Sequence, residues 1–186
     1  LEITIISDEK YKPYDRIHLC RLIETENKTN SIELPLNPTV KLELNQKITS
    51  IDKENKRVFS KNSMYSYDKL IIATGSIPIS LFDVSDLKNA TVFRSSDDCD
   101  VIKNGIKNRE IVIVGSGPIG LELLETINSL NYANNITLLV RGKYLYSKNL
   151  SSESIKIIEN SYTSGKKIKI SYEDEIVDKT IENDEI

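Results

Sequence analysis

Ile111-Val112-Ile113-Val114-Gly115-Ser116-Gly117-Pro118-Ile119-Gly120-Leu121-Glu122 decides the fold. Four β-branched apolar residues in a row read as a strand buried on both faces. Gly115, Gly117 and Gly120 follow at the G-x-G-x-x-G spacing, and Leu121, Leu123, Leu124, Ile127 and Leu130 then recur at helical intervals. Gly115 is expected to make the tight turn off the strand, Gly117 to let backbone approach a pyrophosphate, and Gly120 to let helix and strand pack closely. The phosphates would rest on N–H groups at the helix N-terminus. Ile136-Thr137-Leu138-Leu139-Val140 supplies a second strand. The expected ligand is a dinucleotide; the alternative is a glycine-rich turn kept for packing alone.

The rest of the composition narrows the class. A length of 186 residues fits one large domain or two small ones, and a 39% hydrophobic content is enough for a real core. The 25 basic and 28 acidic residues are dispersed and leave a net charge of -3. That balance gives no nucleic-acid footprint and no polybasic membrane patch. No apolar run is long enough to span a membrane, and no signal peptide is visible. Cys20 and Cys99 lack metal-ligand spacing, and His18 is the only histidine, so no metal site is expected. Both thiols are expected to be reduced, in the cytoplasm. Leu1 is not a start methionine and Ser171 to Ile186 ends in a charged stretch, so a fragment is expected.

From the first residue onward, Leu1 to Ile6 reads as a buried strand ending in Ser7-Asp8-Glu9. An acid at that position can hold a ribose, although most acids at strand ends simply face water. Lys12-Pro13-Tyr14-Asp15 is a turn, and Arg16 to Thr25 reads as a helix. Glu26 to Pro38 is a polar loop. Val40, Leu42 and Leu44, then Ile48 and Ile51, Val58 and Phe59, Tyr65 and Tyr67 read as a small antiparallel meander with one face buried. Asp68 to Gly75 reads as a short buried strand that Pro78 stops, and Leu81 to Ala90 as a connector. Ser95-Ser96-Asp97-Asp98 opens a helix expected to reach about Lys103. Beyond the central βαβ unit, Ser151 caps a helix carrying Ile155, Ile157 and Ile158. Gly165 then ends a turn, and Lys167 to Tyr172 alternates as a strand. The fold class is therefore α/β, Rossmann-like, with a parallel sheet, helices and a small antiparallel meander.

These motifs stand in a familiar order. Tyr67-Asp68, Leu70 to Ser76 and Pro78 resemble the A-T-G segment of FAD-dependent pyridine nucleotide–disulfide oxidoreductases, two-dinucleotide flavoproteins. The preceding meander, Arg94 with Asp97-Asp98, and G-S-G-P-I-G-L-E keep that family's order. Pro13-Tyr14-Asp15-Arg16 followed by Leu19-Cys20-Arg21 is similar to the branch of rubredoxin and ferredoxin reductases and NAD(P)H nitrite reductase large subunits. The resemblance implies a partial FAD-binding domain over 1–90 and an NAD(P)-binding domain over 91–186. It implies FAD and NAD(P)H as cofactors, with electrons passed on to an acceptor such as rubredoxin, ferredoxin or a nitrite reductase centre.

The same resemblance implies residue roles. Glu9 would hold the adenosine ribose of FAD, Arg16 and Arg21 would lie beside flavin or phosphates, and Ile48 would offer backbone to the adenine. Ala73, Thr74 and Gly75 would pass close to the cofactor, and Arg94 would contact it from the connector. Gly115, Gly117, Pro118, Ile119 and Gly120 would cradle the nicotinamide dinucleotide, with Glu122 facing the nicotinamide. Read as residues alone, Arg16 and Arg21 also fit a solvated helix face, and Ala73-Thr74-Gly75 a tight crossing. No general acid–base residue is expected in this chain. The first strand and glycine turn of the FAD half, and the later segment that holds the ribityl chain, are expected to lie outside it.

At the end of the second nicotinamide strand, where an acid would bond the ribose 2′-hydroxyl, stand Val140 and Arg141. That pair is similar to the one in NADPH-using glutathione reductases, and it leads us to expect NADPH to be accepted at least as well as NADH. Cys20, near a helix start, is the residue of the alternative reading: a thiol-dependent NADH oxidase or disulfide reductase. The remaining alternative is a non-catalytic nucleotide-binding module.

Overall fold

The computed structural model describes residues 1–25, 29–81, 83–84, 87–146, 150–164, 167–178 and 180–181. Two compact units form: Leu1–Arg16 with Asn27–Ile77, and Ile17–Glu26 with Pro78–Ile186. The chain is α/β, with parallel sheets and one small antiparallel sheet.

In the first unit, β1 (Thr4–Ile6) pairs in parallel with β2 (Lys41–Glu43), Thr4 opposite Lys41. The pairing continues past the strands: the Ser7 N–H donates to the Glu43 carbonyl at 2.9 Å, and the Gln46 N–H to the Ser7 carbonyl at 2.8 Å. A separate meander runs β3 (Ile48–Asp52), β4 (Arg57–Ser60), β5 (Met64–Ser66). The Asp52 carboxylate accepts the Asn55 N–H at 3.0 Å and the Asn55 side-chain amide at 2.7 Å, and this closes the first hairpin. Val58 is the buried residue of that sheet.

The second unit carries α1 (Cys20–Glu24), α2 (Ser96–Gly105), β6 (Glu110–Val114), α3 (Pro118–Leu130), β7 (Asn135–Val140), α4 (Ser152–Thr163) and β8 (Ile168–Tyr172). The three strands form one parallel sheet in the order β6-β7-β8, with Ile111 opposite Ile136 and Leu138 opposite Ile170. β7 is central, and its Ile136, Leu138 and Val140 are buried together with Leu124 and Ile127 of α3, Leu145 and Ile155. Each such aliphatic side chain contributes about 1.5–3 kcal/mol on burial. Ser95 caps α2 through a reciprocal capping box with Asp98. Cys99 packs α2 onto α1, its thiol donating to the Leu19 carbonyl at 3.5 Å.

Several sequence expectations need correction. The stretch 68–75 forms no strand, and Ile71 and Ile72 are 86% and 67% exposed. A short apolar run lines up as a strand only against a hydrogen-bonding neighbour, and none is paired to it among the described residues. β6 is covered on one face only: Ile113 is buried, while Val112 and Val114 are about half exposed at the edge of the sheet. The residues around Leu42 join β1 in a parallel pair and stand outside the meander. Leu1 to Ile3 are exposed and precede β1. The helix expected over Arg16 to Thr25 is a 3-10 turn at Arg16–His18 followed by α1, because only Leu19, Cys20, Leu22 and Ile23 find a buried face. The loop after it contains a 3-10 turn, Thr29–Ile32. α2 runs on to Gly105. Gly165 lies outside the described residues.

Candidate functional site

At the end of β6, Gly115 turns the chain with φ +108°, a conformation that side chains with a Cβ avoid. Its N–H donates to the Leu139 carbonyl of β7 at 3.0 Å, so the turn starts against the neighbouring strand. A Cβ on Gly120 would stand 2.0 Å from the Gly115 carbonyl oxygen. The first turn of α3 therefore lies directly on this backbone. A Cβ on Gly117, by contrast, would meet nothing within 4 Å. Gly117 caps α3 without a side chain, and Pro118 takes the first helical position. The amides of Ile119 and Gly120 then have no acceptor within the helix and sit at its positive end. Open space beside Gly117 and unsatisfied amides beyond it are what a pyrophosphate requires.

The far side of this edge is the end of β7. Val140 is 1% exposed, so its side chain belongs to the core and only its backbone reaches the edge. Arg141 follows, exposed.

The second unit also holds a cleft of about 500 Å³, lined in part by Cys20, Arg21 and Glu24 of α1, Glu122, Glu125 and Thr126 of α3, and Tyr162 of α4. Arg21, expected beside flavin or phosphates, and Glu122, expected to face the nicotinamide, thus line one cleft. The Thr126 hydroxyl donates to Glu24 at 3.5 Å. Burial pushes the Cys20 thiol up to about 11; a hydrogen bond with Thr126 opposes this, and the charge of Glu122 adds to it. That environment is the reverse of one that activates a thiolate. Cys99 is pushed up to about 12, chiefly by burial.

In the first unit, Glu9 follows β1 and is held by the Asn45 N–H, which donates to its carbonyl at 3.0 Å. Its carboxylate accepts the Tyr14 hydroxyl at 2.6 Å and forms an ion pair with Arg16. Arg16 also donates to the Tyr14 hydroxyl at 2.9 Å and lies over that ring. Glu9 and Arg16, expected to address different parts of one cofactor, meet here through Tyr14. Ile48 is half-buried at the start of β3; Ala73, Thr74 and Gly75 are exposed, with Gly75 at φ +69°. Arg94 is half-buried, and its N–H donates to Asp98 at 2.9 Å. Sequence reasoning missed Tyr14 as the bridge, and Glu125, Thr126 and Tyr162 as cleft residues. Helical spacing from Glu122 was the one available signal for Glu125 and Thr126. Among the described residues no group of three or more His, Cys, Asp or Glu is placed to hold a metal ion. No helix among them is long and apolar enough to cross a membrane.

The family model for pyridine nucleotide-disulphide oxidoreductases matches residues 1–186. The chain belongs to the pyridine nucleotide-disulphide oxidoreductase family. Among curated members, it is 27% identical over 169 residues to a nitrite reductase [NAD(P)H] of Bacillus subtilis, covering 86% of this chain and 20% of that protein. It is 35% identical over 133 residues to the NADH-rubredoxin oxidoreductase of Clostridium acetobutylicum, covering 68% of this chain and 35% of that one. The solved NADH:rubredoxin oxidoreductase from Clostridium acetobutylicum superposes with a TM-score of 0.75 at 28% identity, over 93% of this chain and 47% of that chain. The putidaredoxin reductase of a covalent complex with putidaredoxin shares the fold, with a TM-score of 0.84 at 21% identity, over 99% of this chain and 46% of that chain. The chain thus spans a fifth to about a third of these two curated pyridine nucleotide-disulphide oxidoreductases.

Proposed function

We propose that this chain is the dinucleotide-binding portion of a flavoprotein NAD(P)H oxidoreductase. The observation that carries the reading is the glycine turn. Gly115 at positive φ and Gly120 against its carbonyl hold α3 so that open backbone beside Gly117 meets two unsatisfied amides. These residues fit a nicotinamide dinucleotide: the amides of Ile119 and Gly120 would bind its pyrophosphate, and Glu122 would face the ring from the cleft. FAD is the second cofactor in this reading, with Glu9, Arg16, Ile48 and the backbone of Ala73, Thr74 and Gly75 as its contacts in the first unit. When bound, the two cofactors supply hydride transfer, and the protein supplies position and electrostatics. As acceptor we infer a redox partner of the rubredoxin or ferredoxin kind, or a nitrite reductase centre; rubredoxin and nitrite are the acceptors that the names of the two curated relatives carry. The cytoplasm is the compartment that goes with these partners.

The buried, proton-retaining Cys20 favours this reading over a thiol-dependent oxidase. The test is the visible spectrum of the purified full-length protein, titrated with reduced nicotinamide. A flavin band near about 450 nm that bleaches on titration is the expected result. A colourless protein, or a flavin that neither NADH nor NADPH bleaches, would overturn the proposal. Retained activity in Cys20→Ser is expected, and its loss would move the reading to the thiol-dependent class.

A further inference from the structure

We propose that Tyr14 is a positioning residue for Glu9: its hydroxyl fixes the carboxylate that receives the ribose hydroxyls in the adenosine half of FAD; the inference rests on the flavoprotein reading above. In a nucleotide-binding sheet an acid at the end of a strand accepts those hydroxyls, and Glu9 follows β1. A glutamate has several rotatable side-chain bonds, so binding must immobilise it unless the protein has already done so. Here both ends of Glu9 are already held. Its carbonyl accepts the Asn45 N–H at 3.0 Å, and its own N–H donates to the Ser7 hydroxyl at 3.2 Å. Its Oε2 accepts the Tyr14 hydroxyl at 2.6 Å, and its Oε1 pairs with Arg16.

Of the two groups on the carboxylate, Tyr14 is the rigid one. It stands opposite Glu33 in an antiparallel bridge. Its chain neighbours extend that pairing: the Asp15 N–H donates to the Ile32 carbonyl and the Leu34 N–H to the Pro13 carbonyl, each at 2.8 Å. Tyr14 is 8% exposed, with the Tyr11 ring edge-on at 6.3 Å and the Arg16 guanidinium over its face at 4.8 Å. Arg16 reaches the carboxylate on a long side chain that is 36% exposed, and it also donates to the Tyr14 hydroxyl at 2.9 Å. The phenol oxygen thus receives from Arg16 and gives to Glu9, a chain in which each hydrogen bond polarises the next. A carboxylate offers about four lone-pair sites, and Tyr14 and Arg16 engage one on each oxygen, which leaves sites that a ribose diol fits.

The test is a double-mutant cycle on the full-length protein: Tyr14→Phe, Glu9→Ala and the two together. The readout is the FAD dissociation constant, followed by the fluorescence of released flavin. Glu9→Ala is expected to weaken FAD by about tenfold or more, as for the loss of hydrogen bonds to a charged group. Tyr14→Phe keeps the ring and is expected to weaken FAD by about threefold or more, because Glu9 must then be ordered on binding. The double variant is expected to match Glu9→Ala alone within about twofold, since Tyr14 then has nothing left to position. A packing role for Tyr14 would lower the affinity in both backgrounds alike. A Tyr14→Phe effect under about twofold, an additive double variant, or a Glu9→Ala protein that keeps its FAD affinity overturns the assignment while the flavoprotein reading stands. If the unaltered protein binds no FAD, the reading itself falls and takes this inference with it.

Discussion

A methyl group at position 120 has no room, and one at position 117 has open space; the two glycines therefore separate packing from ligand approach. Gly120→Ala is expected to destabilise the fold by about 1–3 kcal/mol, read as a lower denaturation midpoint, since the obstructing atom is backbone. Gly117→Ala is expected to keep stability within about 1 kcal/mol, yet to weaken dinucleotide binding severalfold in calorimetry. If the two substitutions lower stability equally, Gly117 is a packing residue too. The Glu9–Arg16 pair makes a milder claim. Its side chains are 27% and 36% exposed, so Arg16→Met should cost less than about 1 kcal/mol in thermal or chemical unfolding. At this scale the sequence was informative wherever a residue type was forced. The spacing of Gly115, Gly117 and Gly120 announced their geometry. Nothing in Lys12 to Arg16 announced that Tyr14 would join Glu9 to Arg16, because a side-chain triad depends on where a turn brings three residues.

Among the elements, helices were easier to read than strands. Ser95 and Asp98 stand at capping-box spacing and form one, and Ser95→Ala should cost about 1 kcal/mol of stability on thermal unfolding. The apolar runs 68–75 and 111–114 promised burial that only neighbouring elements can provide, and there the local pattern could not count the neighbours. The α1–α2 contact makes a separate prediction about pH. Cys20 and Cys99 both hold their protons far above the ordinary thiol value of 9.0, to about 11 and about 12. The folded state thus binds protons that the unfolded state releases. The stabilisation is complete below about pH 9 and is lost as pH rises through 11 to 12. Melting temperature should fall on the alkaline side more steeply for the unaltered protein than for Cys20→Ala/Cys99→Ala. Equal slopes would mean that the thiols are exposed.

For the molecule as a whole, the two units make different claims on the chain. The stretch from Leu70 to Leu81 has no ladder, and Ile77 and Ile79 are 89% and 100% exposed. Limited digestion by a protease that cuts beside large aliphatic residues should nick these 186 residues there first, ahead of any bond in β6 to β8. First cleavage inside the parallel sheet would show that the stretch is protected. The two units interleave along the chain: residues 17–26 belong with 78–186. No local signal in ten residues says which later helices they will meet. That placement has a consequence for synthesis. Ile23 is buried in the unit that also contains α3 and its Leu124, made 101 residues later (124 − 23). At about 5–20 residues per second, the ribosome leaves α1 without α3 for roughly 5–20 s. During that interval its Leu19, Leu22 and Ile23 are bare to water, and a holding chaperone would find its target in the emerging polypeptide at this decapeptide.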